Sequence, residues 1–262
     1  MEDVRLADYG LESVGRELSA LRVDCLSGKM NAAWQDSASW LGGLPCVDAD
    51  FVWPTNAGRP LSFVAQLSAR ELGLAHDGAL LFFHDKECTG FKKADAMGFR
   101  LLRQRAVRQL GTADVPTGNA RRFLGFRSRS VPTVWRRIGL KFQTAFSYPS
   151  LGEAETEVLR VLRDAEAGTD LDLQQAYVDL CQSVNPPVQV RGVASPCNAD
   201  EAFVREHCGA QLGVAPLECE LLFALQSVND MVWGDSGSLC WYARRDDFVR
   251  ASFESTWAVM TS

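Results

Sequence analysis

Three histidines, His76, His84 and His207, are the residues on which Ser/His/Asp or Cys/His chemistry would have to run. His84-Asp85 follows the apolar run Ala79-Leu80-Leu81-Phe82-Phe83 and so stands at a strand end, where a site could lie. His207 is beside Cys208, but neighbours on a helix point about 100° apart and do not pair. The most site-like acid is Asp235, in Trp233-Gly234-Asp235-Ser236-Gly237. A loop aspartate among glycines could approach a ligand or a cation; it could equally cap the amides of its own turn. Trp53-Pro54 could form an aromatic binding wall or plug the end of a sheet. Trp53, Trp233 and Asp235 are therefore the candidate binding residues. Around them stand Gly42, Gly43, Pro45, Pro54, Gln66, Gln226, Gly234 and Gly237, expected to shape turns and core. No catalytic constellation stands out, so an enzyme is not expected.

Metal and cofactor chemistry find no motif. The eight cysteines include no C-x-x-C pair and fit no zinc spacing. They read as reduced, mostly buried thiols behaving as small hydrophobes. No phosphate-binding glycine loop is present. Neither a metal nor a cofactor is expected.

Charge is distributed unevenly. Residues 91–141 hold 13 of the 27 Lys/Arg and only two of the 33 Asp/Glu, leaving 14 bases against 31 acids elsewhere. Such asymmetry suggests a charged partner, or one part of the fold neutralising another. Phe123, Phe126 and Trp135 interleave with the arginines as in phosphate-binding surfaces. The acidic remainder would repel nucleic acid, which is not the expected partner. No apolar run reaches the roughly 18 residues that span a bilayer. The charged start, Met1-Glu2-Asp3-Val4-Arg5, has no signal-peptide core. A cytoplasmic protein without a membrane partner is expected.

The elements that would position these residues follow from period and punctuation. Leu11, Val14, Leu18, Leu21 and Leu26 suggest a helical extension over residues 1–33, with Gly28 as its stop. Strands are expected over 61–67, 79–83, 219–226, 238–243 and 256–260. Helices are expected over 152–167, 171–181 and 199–207. Val131-Pro132-Thr133-Val134-Trp135 suggests an extended edge. Residues 99–110 fit either period, and 245–253 a polar connection or short helix.

One pattern recurs. Phe63-Val64-Ala65-Gln66 precedes Gly78-Ala79-Leu80-Leu81-Phe82-Phe83, and Phe223-Ala224-Leu225-Gln226 precedes Gly237-Ser238-Leu239-Cys240-Trp241-Tyr242. Both read F-x-x-Q and then G-x-L-x-aromatic-aromatic. The expectation is one β-rich α+β domain of two related halves, 40–140 and 150–262, arising by internal duplication, with antiparallel sheets flanked by helices. Gln66 and Gln226 would satisfy their amides on backbone groups or on each other.

Three blocks then stand together: Gly42-Gly43-Leu44-Pro45 with Trp53-Pro54 and Pro60 through Leu67; Pro187-Val188-Gln189; and Leu221 through Gln226 with Trp233-Gly234-Asp235-Ser236-Gly237, Asp246-Asp247-Phe248 and Phe253 through Trp257. They resemble the YwqG-like family, bacterial domains of unknown function, over residues 40–85 and 185–260. The resemblance brings no catalytic residues. It implies a protein-binding role: some members of such families resemble immunity proteins that neutralise secreted antibacterial toxins, including type VI secretion effectors. The expected partner is a cognate toxin, for example a nuclease. The alternative is a small-ligand binder or enzyme using the loops around Trp53 and Asp235.

Overall fold

The structure is a computed structural model that describes residues 6–31, 33, 36–75, 77–105, 108–118, 120–123, 126–129, 131–149, 172–194 and 201–261. The expected helix over 152–167 lies outside the described residues, as do His76 and Cys197.

Ten strands make one antiparallel sheet. They are β1 (Val23–Asn31), β2 (Ser39–Leu41), β3 (Ser62–Ser68), β4 (Ala79–His84), β5 (Phe99–Gln104), β6 (Ile138–Ser147), β7 (Val188–Val190), β8 (Cys219–Gln226), β9 (Ser238–Arg244) and β10 (Thr256–Thr261). Their spatial order is β10-β9-β8-β7-β1-β6-β2-β3-β4-β5. The edge strands β5 and β10 come into contact, so the sheet curls into a nearly closed barrel. Gly90 sits against this seam. Its φ is +83°, and a Cβ there would fall on the Ala258 carbonyl. Met260 N donates to Thr89 O (2.8 Å), and Trp257 Nε1 donates to Gly90 O (2.8 Å).

Alternation explains what lies inside. On β4, Leu80 and Phe82 enter the barrel while Leu81 and Phe83 belong to an outer cluster. On β9, Leu239 and Trp241 enter, and Cys240 and Tyr242 stay outside. Phe82 meets Phe223 at 4.8 Å and Trp241 at 5.1 Å between ring centroids. Each such fully buried aromatic contributes about 1.5–3 kcal/mol through lost hydration alone.

The F-x-x-Q match does not survive the pairing. Phe63 pairs with Phe83 and Ala65 with Phe82, leaving Val64 as a bulge; Leu221 pairs with Tyr242 and Phe223 with Trp241, leaving Leu222 as a bulge. By register Ala65 thus stands where Phe223 stands, and Gln66 where Ala224 stands. What recurs is a bulged hairpin whose second strand keeps G-x-L-x-aromatic-aromatic in register, while F-x-x-Q does not align.

Two other expectations are corrected. The helical spacing before residue 21 is real: Leu11, Val14 and Leu18 are buried around short helical turns ending in α1 (Gly15–Ala20). The extension then turns into β1, which pairs with β6 and β7 at the centre of the sheet. Gly28 does not stop a helix. It lets Val188 approach, since a Cβ would meet Val188 Cγ1 at 2.7 Å. The 131–135 segment belongs to no strand, and β6 begins just after it, at Ile138.

Three further helices cover the outside among the described residues: α2 (Leu173–Val184), α3 (Glu201–Leu212) and α4 (Arg245–Arg250). Asp172 caps α2 by accepting from Gln175 N at 2.9 Å. Leu173, Tyr177 and Leu180 lie on one stripe of that helix and pack with Leu11, Leu18 and Tyr148.

Candidate functional site

Two motif blocks distant in sequence meet at one end of the barrel. Gly42 N donates to Val64 O and Gly43 N to Trp135 O, both at 2.8 Å. Gly42 has φ +59°, and a Cβ there would lie 2.5 Å from Arg136 O. The glycine pair thereby clamps the 131–137 segment onto β2 and β3. Trp135 then meets Trp233 edge to face at 5.6 Å, which brings in the Trp233–Gly237 turn. That turn is closed by Gly237 N donating to Trp233 O at 2.6 Å, and Ser227 braces it, its Oγ accepting from Trp233 N at 2.9 Å.

Exposed valines flank the two tryptophans in sequence. Val131, Val134 and Val232, next in sequence to the two tryptophans or close to them, are 58%, 45% and 56% exposed. Beside them lies a cleft of about 500 Å³ lined by Met30, Asn31, Arg136, Ile138, Asn229 and Asp230. Asp230 Oδ2 accepts from Arg136 N at 3.2 Å, which fixes the rim. Arg136 is exposed, and its guanidinium has no acidic partner among the described residues.

The candidate residues part company here. Trp233 is buried in the barrel, against His84 as well as Trp135. Asp235 is exposed at the tip of its turn, which is held by Gly237 and Ser227 rather than by its carboxylate. Trp53 is elsewhere. It is half-buried on the outer face, packed edge-on against Phe83 at 5.5 Å, with Nε1 donating to Leu61 O at 2.8 Å. Pro54 O accepts from Leu61 N in the same loop (3.0 Å). Pro45 O accepts from Leu110 N (3.1 Å), which extends the pairing of the outer ribbon Cys46–Val47 with Arg108–Gln109, and Gln66 Oε1 accepts from Cys46 N (2.8 Å), which ties that ribbon to the barrel. Gln226 is half-buried at the end of β8, opposite Ser238, and does not take Gln66 as its mate.

His84 and most of the described thiols are buried, while His207 and Cys46 are partly exposed, His207 with Nε2 2.9 Å from Gly90 O. His84 is fully buried, and its Nε2 lies 2.9 Å from Cys88 O, which assigns the proton to Nε2. Burial pushes its pKa down to about 4, against the opposing pull of the Cys88 carbonyl, Asp85 and Asp95, so the ring is neutral. Its neighbours are engaged. Asp85 holds Arg59 Nη2 at 2.6 Å and Asn56 Nδ2 at 2.9 Å, and Asp95 accepts from Gly90 N at 2.9 Å. Burial also raises the thiols, Cys25 and Cys88 to about 11 and Cys181 and Cys219 to about 12, so none of these is a thiolate near neutrality. Among the described residues no group of three or more His, Cys, Asp or Glu is placed to hold a metal ion, and no helix is long and apolar enough to cross a membrane.

Sequence reasoning named Trp53, Trp233 and Asp235, of which the structure brings only Trp233 and Asp235 near this junction, and it did not name Arg136, Asp230 or the exposed valines. The signal for them was Val131-Pro132-Thr133-Val134-Trp135, an apolar run with a proline that no sheet could absorb. A search of curated proteins finds no match for the chain. The profile of one family, described as a domain of unknown function (DUF1963), matches residues 39–261, and the chain belongs to that family.

Proposed function

We propose that the chain is a protein-binding module, and that it acts as a YwqG-like immunity protein neutralising a cognate secreted toxin by occluding it. The observation that carries this reading is the junction of Trp135 and Trp233. There the motif blocks converge next to exposed Val131, Val134 and Val232 rather than around a reactive group. Apolar residues with a charged rim, here Arg136, Asp230 and Asp235, are the composition of a protein contact rather than of a solvated surface. The acidic surplus outside residues 91–141 also supports it, because acidic surface speeds encounter with the basic cleft of a nuclease.

Co-expression with the toxin encoded beside it tests this directly. Rescue of growth and a stable complex are expected, and Val134→Glu is expected to lose both while melting like the parent. Failure of the unaltered chain to bind or rescue overturns the proposal.

A second reading has one observation in its favour, the cleft of about 500 Å³ beside Arg136, large enough for a small anionic ligand. It would use Arg136 and Asp230 rather than a site joining Trp53 to Asp235. The descent of the two halves from a duplication is also proposed, resting on the matched bulges at Val64 and Leu222.

A further inference from the structure

Two motif blocks take no part in the Trp135–Trp233 junction, Pro187-Val188-Gln189 and Asp246-Asp247-Phe248. They meet elsewhere, through Arg191, at a cleft of about 280 Å³ whose lining includes Asp24, Arg191, Arg205, Glu220 and Arg245.

The first block runs into β7, and the chain leaves that strand by a tight turn. Arg191 and Gly192 are both left-handed, at φ +60° and +76°. Glycine adopts that conformation freely and arginine does not. The surroundings nevertheless fix it. Gln189 is buried, and its Nε2 donates to Arg191 O at 2.7 Å and to Val193 O at 3.0 Å. Val193 N donates to the buried Ser147 Oγ at 2.8 Å. A Cβ at position 192 would lie 2.5 Å from that same Oγ and 2.8 Å from Gln189 Nε2, so glycine is required there. Glycine would serve at 191 as well. An arginine held there against its own preference points to a use for its side chain, since backbone strain that the surroundings over-determine gathers at ligand clamps.

That side chain is exposed and lies over Phe248 of α4, with 5.0 Å between Cζ and the ring centroid. Stacking occupies a face of the guanidinium and leaves its edge, with the N–H donors, for hydrogen bonding. Among the described residues no acid pairs with it. The other two arginines of the cleft differ. Arg205 Nη2 is 3.4 Å from Glu201 Oε1, and Arg245 Nε is 2.5 Å from Glu220 Oε1. The cleft thus sets three guanidiniums against the carboxylates of Asp24 and Glu220, and the cation without a carboxylate is the one on the strained turn.

We propose that this cleft binds a small molecule by an anionic group, a carboxylate or a phosphate, gripped by Arg191 with Arg205 and Arg245 beside it. The edge of a guanidinium matches either group with two parallel hydrogen bonds. The volume stands at the lower end of small-molecule sites. Asp24, in the same lining, is an acceptor for a hydroxyl or amine elsewhere on the ligand. This inference is independent of the immunity reading, since the cleft shares no residue with the Trp135–Trp233 junction.

The test is calorimetric titration of the full chain at low salt with inorganic phosphate, malonate and chloride. Saturable binding of phosphate or malonate in preference to chloride is expected. Tighter phosphate assigns a phosphate ester as the ligand's anionic group, and tighter malonate a carboxylate. Arg191→Gly is expected to weaken binding by about tenfold to a hundredfold, the loss of a charge-assisted hydrogen bond. It should still melt close to the parent, because relief of the left-handed backbone offsets glycine's added freedom in the unfolded chain. Phosphate and malonate bound no better than chloride, or bound equally by the parent and Arg191→Gly, overturn the proposal. Binding lost by Arg136→Gln and kept by Arg191→Gly also overturns it, and moves the anion to the cleft beside Arg136.

Discussion

The hairpins β3–β4 and β8–β9 are built alike on the inside and unlike on the outside. Each carries one bulge at the matching register position, and each sends alternate residues of its second strand, Leu80 and Phe82 or Leu239 and Trp241, into the barrel. Outside, β3–β4 is covered by a loop whose Phe51 and Trp53 pack on Phe83, whereas β8–β9 is covered by α3, with Val204, Cys208, Cys240 and Tyr242 in one cluster. Barrel closure constrains inward residues by shared volume. Outward residues answer only to whichever segment crosses over them. The two hairpins are thus alike in the alternate inward residues of their second strands and unlike in the segments that cover their outer faces.

The comparison breaks most completely at the seam where β5, paired with β4, meets β10, paired with β9. Gly90→Ala must relieve both a left-handed backbone and a clash with the Ala258 carbonyl, and it disturbs the carbonyl that Trp257 and His207 share. A loss above about 4 kcal/mol, or no cooperative melt at all, is expected in thermal unfolding.

Next in size is a pH effect confined to the first hairpin. By register His84 stands where Ala243 stands in the second. The folded pKa of His84 is depressed from 6.5 to about 4. The unfolded chain therefore binds the proton first, and stability present above pH 6.5 is lost as pH falls towards 4. The depression corresponds to about 3 kcal/mol at 1.36 kcal/mol per pH unit. Denaturant melts from pH 7 to 4 should show the decline for the parent and a shallower one for His84→Phe. Equal slopes would remove His84 from the account.

Gln66→Leu probes the outer cover. It strands the Cys46 amide, for a cost of about 1–3 kcal/mol by urea melt, while the register-equivalent Ala224→Leu tests packing alone. Smallest of all, Asp235→Ala should shift stability by no more than about 0.5 kcal/mol, because the carboxylate is exposed and its turn is held by others. A larger loss would make Asp235 a turn residue and exclude it from the partner surface.

Strong local periods were legible and long-range pairing was not. The runs around Phe82, Phe223 and Trp241 declared themselves as strands because both faces are covered and nearly every position is apolar. β1 hid behind the helical spacing of Leu11, Val14 and Leu18, which happens to continue to Leu21 and Leu26. β6 hid because Lys141 and Gln143 dilute its outward face and Thr144 interrupts the apolar run on the other. Of the candidate site, the Trp233–Gly237 turn was marked by its glycines, but no local pattern could bring Gly43 to Trp135 or place Asp230 on Arg136, contacts that exist only once the barrel closes.

The central strand β1 has a consequence for how the chain is made. It pairs Val23 with Ser147 and Leu26 with Val190, so its partners emerge from the ribosome long after it does. At about 5–20 residues per second, β1 waits roughly 6–25 s for β6 and longer for β7. Throughout that interval a strand destined for the middle of the sheet has two unsatisfied sides. Translation speed, and whatever shields residues 23–31 meanwhile, would then govern the yield of folded protein as much as the stability of the finished barrel does.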